Sequence, residues 1–73
     1  MNRLSLHKEI YKEEAVKKAI QEFTSIAAVS YTSENGYFVI QFEKCRLDLR
    51  KTIDEFGNYV LAETIKRTGD LYD

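Results

Sequence analysis

The stretch Ala27-Ala28-Val29-Ser30-Tyr31-Thr32-Ser33-Glu34-Asn35-Gly36-Tyr37-Phe38-Val39-Ile40-Gln41-Phe42-Glu43-Lys44 decides the fold. Asn35-Gly36 is the one strong turn signal in the chain, and the pair suits the two positive φ angles of a type I′ hairpin loop. On either side of it apolar side chains alternate, Val29 and Tyr31 before the turn and Phe38, Ile40 and Phe42 after it, which is the period of a half-buried strand. A two-residue loop sets Glu34 opposite Tyr37, and stepping outward pairs Tyr31 with Ile40 and Val29 with Phe42. Directly opposite residues share a face, so this register gathers all four on one side of the sheet. A slip of one residue would scatter them, which is why turn chemistry and apolar pattern together fix the pairing.

Upstream, Ala15, Val16, Ala19, Ile20, Phe23, Ile26 and Ala27 recur at spacings of three and four, predicting a helix from about Lys12 to Ile26. Its other face carries Glu13 with Lys17, Glu14 with Lys18 and Lys18 with Glu22, four-apart opposite charges expected on a solvated surface. Ahead of it Leu4, Leu6 and Ile10 occupy alternate positions, so Leu4 to Ile10 reads as a first strand, with Lys8 on its inner side. Downstream, Asp48 can cap a helix whose stripe runs through Leu49, Ile53, Phe56, Val60, Leu61, Thr64 and Ile65 to a stop at Gly69. Gly57 interrupts that helix and is either a tolerated loss of about 1 kcal/mol or a point of close approach to Ala15 or Ala19.

The order strand, helix, strand, strand, helix gives an α+β domain. A right-handed crossover followed by a hairpin places the strands in spatial order 1-3-2 with both helices on one face. That is a ferredoxin-like fold lacking its last strand, and it leaves the first strand as an open edge.

The 73 residues, 44% hydrophobic and 32% charged, provide for one folded domain spanning 1–73 with one compact core. Eleven Lys and Arg against twelve Asp and Glu give a net charge of -1, too weak a field to draw in nucleic acid or an anionic membrane. No membrane span or signal-peptide pattern is present. One Cys and one His fall short of a zinc ligand set and of any disulfide, so no metal or cofactor is expected and a cytoplasmic location fits.

His7 has no Ser, Cys or Asp partner at a recognisable spacing, and it reads as a solvent-exposed strand residue rather than a base. Cys45 lies beside Lys44 and Arg46, which could activate a thiol, but an inert Cys at a strand end is the simpler reading. The segment Asn35 to Phe42 has the outline of an RNA-recognition strand, yet Asn35, Phe38 and Val39 stand where a basic, a small and a stacking residue are needed, so RNA binding is disfavoured. The outer face of the hairpin carries Tyr37, Val39, Ala28 and Thr32, a mildly apolar patch.

Tyr11 followed by Glu14-Ala15, then Ala19 and Phe23, and above all Phe56-Gly57-Asn58-Tyr59-Val60-Leu61, resembles the HxsD-like proteins over most of the chain. These are small proteins of bacterial gene neighbourhoods that also encode radical-SAM enzymes and a peptide with His-Xaa-Ser repeats. The chain has neither such repeats nor a cysteine triad for an iron-sulfur cluster, so the resemblance implies an accessory part rather than the modified peptide or the enzyme. Phe56, Asn58 and Tyr59 carry most of it.

The expected function is therefore a non-enzymatic module that binds a protein or peptide through its open sheet edge, with Leu4, Leu6, His7, Tyr37, Val39, Asn58 and Tyr59 as candidate contact residues. Asn58 is turned about 200° from Phe56 and should face outward. The alternative is a structural homodimer formed through the first strands or through Tyr37 and Val39. A thiol enzyme built on Cys45 is a third reading, testable by its alkylation rate.

Overall fold

The computed structural model describes residues 2–68. The elements follow in the order β1 (Arg3–His7), α1 (Glu13–Phe23), β2 (Ala28–Glu34), β3 (Tyr37–Glu43) and α2 (Leu49–Thr68). The sheet has the spatial order β1-β3-β2, with β3 antiparallel to both neighbours. Asn35 and Gly36 take φ values of 48° and 83°, so the loop is the tight one its residues suit. Glu34 pairs with Tyr37, Tyr31 with Ile40 and Val29 with Phe42, the register expected from the turn.

That register points Phe38, Ile40 and Phe42 inward together with Leu6, and both helices cover this face with Ala15, Val16, Ala19, Phe23, Phe56 and Val60. Phe56 is fully buried at the centre, edge-on to Phe23 of α1 at 5.2 Å and to Phe42 of the sheet at 5.1 Å. One aromatic ring thus joins the sheet to both helices. Among the described residues no helix packs against the other face of the sheet.

Several local expectations need correction. β1 stops at His7 rather than Ile10, because His7 already pairs with Tyr37 and the next partner position is the hairpin turn itself. The Lys8 N–H donates to the Gly36 carbonyl, the His7 carbonyl accepts from Ile10 and Tyr11, and Ile10 turns outward, 60% exposed. Helix α1 ends at Phe23, whose carbonyl accepts from both Ile26 and Ala27 as the chain turns, although Ile26 and Ala27 still pack inward. In α2 the inward stripe is centred on Phe56 and keeps Val60 and Thr64 as expected, but it also takes in Thr52, and Leu61 and Ile65 lie on the exposed side. Gly57 faces the Leu4 side chain of β1, not α1: a Cβ there would sit 3.7 Å from Leu4 Cδ2. Of the three charge pairs on α1, Lys18–Glu22 forms at 3.7 Å on an exposed surface, where such a pair adds little.

Asp48 caps α2 as its chemistry suggests, its Oδ1 accepting the Lys51 N–H at 3.0 Å. Gly69, read as the stop of this helix, lies outside the described residues.

Candidate functional site

Both edge strands leave backbone bonding capacity open among the described residues: β2, where Val29, Tyr31 and Ser33 turn their groups away from β3, and β1, whose edge is the candidate site. Asn2 accepts from the Phe42 N–H and Lys8 donates to Gly36, so by the two-residue period the even-numbered positions of β1 turn their backbone groups toward β3. Arg3, Ser5 and His7 turn theirs away from the sheet. The His7 carbonyl is taken by Ile10 and Tyr11, while the N–H and carbonyl groups of Arg3 and Ser5 meet no partner among the described residues.

Side chains divide by the same parity. Leu4 and Leu6 point to the core, Leu6 buried and Leu4 half-buried against Gly57, so their contribution to a binding surface is backbone and rim rather than exposed side chain. Arg3, Ser5 and His7 line the open face, in rows with Gln41, Val39 and Tyr37 of β3. His7 is half-buried instead of solvent-exposed: its ring stands 4.9 Å from that of Tyr37 at 64°. Its Nδ1 accepts the Glu9 N–H at 3.2 Å, which leaves Nε2 as the nitrogen carrying the proton in the neutral ring. Lys8 extends to the inner side, its ammonium 5.5 Å from the centre of the Phe38 ring, where it shields the end of the core.

The seven candidate residues therefore do not form one patch. His7, Tyr37 and Val39 lie together on the uncovered sheet face beside the edge. Asn58 is exposed on α2, as its position relative to Phe56 predicted. Tyr59 is not a free recognition group, since its ring packs against Phe23 at 6.0 Å and 80°. Arg3 and Ser5 were not singled out from the sequence, and only the strand's end and its pairing parity reveal them. The signal that could have found them is the alternation Arg3-Leu4-Ser5-Leu6-His7, which sends the odd positions to the face away from the core.

Cys45 is half-buried, with Sγ 3.3 Å from the Leu47 carbonyl oxygen and 3.4 Å from Thr52 Oγ1, the acceptors its single hydrogen can serve. Thr52 in turn donates its hydroxyl to the Asp48 carbonyl at 2.8 Å. The thiol is thus one member of a bonded group that closes the start of α2. A surface depression nearby is lined by Asp48, Leu49, Arg50, Ile53 and Asp54. Among the described residues no cluster of three or more His, Cys, Asp and Glu is placed to hold a metal ion, and no helix is long and apolar enough to cross a membrane.

Compared with protein-family models, with curated proteins and with solved structures, the chain matches none.

Proposed function

We propose that this chain is a non-enzymatic binding module that takes an extended peptide or protein segment as an added strand along β1. One observation carries the reading: Arg3 and Ser5, on a strand at the edge of the sheet, present outward backbone donors and acceptors with no partner among the described residues. Strand addition needs no catalytic group; main-chain bonds supply affinity, and the side chains on either face of the added strand supply selectivity.

The HxsD-like resemblance in Phe56 to Leu61 suits this role, because an accessory protein of a bacterial, cytoplasmic radical-SAM system has a peptide at hand to present to an enzyme. The test is an amide-shift titration of the labelled protein with candidate peptides. Shifts concentrated at Arg3 to His7 support the reading; shifts confined to α1 and α2 overturn it.

A further inference from the structure

The added strand has a chemistry that the edge itself selects. Arg3 is exposed and has no ion-pair partner among the described residues; its directly paired cross-sheet neighbours Gln41 and Ser30 are neutral, and the exposed acid on the same face, Glu43, stands diagonal to it and forms no ion pair with it. Every residue of β1 is apolar, neutral or basic, and the first acid after it, Glu9, lies in the turn. On the inner side the edge is apolar beside Leu4, short of the Lys8 ammonium at its far end: Leu4 is half-buried, Gly57 of α2 faces it, and Leu61, one helical turn further along, is 38% exposed. A strand laid here thus meets a cation on one face and hydrocarbon on the other.

Resting on the strand-addition reading, we propose that the occupant is an acidic amphipathic segment of the form apolar–any–apolar–acidic, its carboxylate opposite Arg3. The antiparallel direction exchanges both main-chain bonds with Arg3 and both with Ser5, the two positions whose groups are all open. Running from His7 toward Arg3, such a strand sets its first apolar residue opposite Leu6, its second opposite Leu4, and its acid beside the guanidinium. A second copy of β1 fits less well. With Ser5 opposite Ser5, Arg3 of each copy would stand beside His7 of the other, and no register of Arg3–His7 on itself offers a carboxylate.

The test uses the peptide Lys-Thr-Val-Thr-Val-Glu-Lys-Thr and its counterpart with Lys in place of Glu, each titrated into the full chain and into Arg3→Glu. The Glu peptide should shift the amides of Arg3, Ser5 and His7, the Lys peptide should bind about five-fold or more weakly, and Arg3→Glu should reverse that order. An unchanged amide spectrum elsewhere shows that Arg3→Glu has kept its fold. Equal binding of both peptides at β1 overturns the acidic assignment and leaves strand addition standing. No shift at β1 with either peptide overturns both. Shifts of these amides with protein concentration alone assign the edge to a second copy and overturn the peptide.

Discussion

Phe42 and Phe56 meet edge to face, ring centroids 5.1 Å apart and planes at 89°, so the central strand is held to the long helix by one aromatic contact at the middle of the core. Phe56→Ala removes that contact and the one to Phe23, in a site with no exposure. The expected cost is about 3–5 kcal/mol, comparable with the whole stability of so small a core. Far-UV circular dichroism and proton line dispersion should show a largely unfolded chain. Phe56→Leu should stay folded with a lowered melting temperature.

Gly57→Ala should stabilise the chain. A methyl group there meets Leu4 Cδ2 at 3.7 Å, an ordinary van der Waals distance, while the helix loses its most flexible internal residue. The gain should be about 0.5–1 kcal/mol, read as a rise of several degrees in thermal melting. A fall in melting temperature would mean that Leu4 cannot accommodate the contact.

Tyr31 should titrate above its ordinary value of 10.0. Its hydroxyl donates to Glu13 Oε2 at 2.6 Å, and that hydrogen bond is the main cause, with desolvation and the Glu13 charge adding to it. The folded chain holds this proton more tightly than the unfolded one, so the pair's contribution is full below pH 10.0 and is lost as pH climbs through the raised value. The tyrosinate absorbance difference between the chain and Tyr31→Phe reads the shift. In Glu13→Ala the midpoint should move down toward 10.0, and an unmoved midpoint would exclude Glu13 as the cause.

Asn58→Ala should change stability by less than about 0.5 kcal/mol, leaning toward a gain, because the side chain is exposed and Ala is the better helix former. It should also leave peptide binding at β1 unchanged, since that face of α2 is turned away from the sheet. Loss of binding on this substitution would place the recognition surface on the helix.

The hairpin was legible because its information is local: Asn35-Gly36 fixes the loop, and the loop fixes every pair from Glu34–Tyr37 outward. The end of β1 was not, because it depends on where β3 runs into its turn, a fact held some 30 residues away in the chain. In α2 the stripe expected through Phe56, Val60 and Thr64 holds, while Leu61 and Ile65 depart from it. Leu61 and Ile65 are apolar and at helical spacing, but they stand about 140° and 180° round from Phe56, while Thr52 and Thr64 stand within about 80° of it. Their hydroxyls are tolerated inside because they are bonded, Thr52 to Asp48 and Thr64 to the Lys12 N–H at 3.3 Å. At the candidate site the sequence indicated that the first strand lies at the sheet edge, as it does. Which atoms of Arg3, Ser5 and His7 face outward required the pairing.

The strand order also sets a hierarchy of assembly. β3 closes on β2 through a two-residue loop, whereas Leu4 must return across α1 and the whole of β2 to find Ile40. Chain closure of that length costs more entropy, so the hairpin can form early and β1 docks late. The same asymmetry persists in the finished molecule. The longer closure that β1 requires makes it the strand expected to open before the hairpin, so the amides of β3 bonded to β2 should exchange more slowly than those bonded to β1. The edge proposed to receive a partner would thereby be the part of the sheet that opens and re-forms most often.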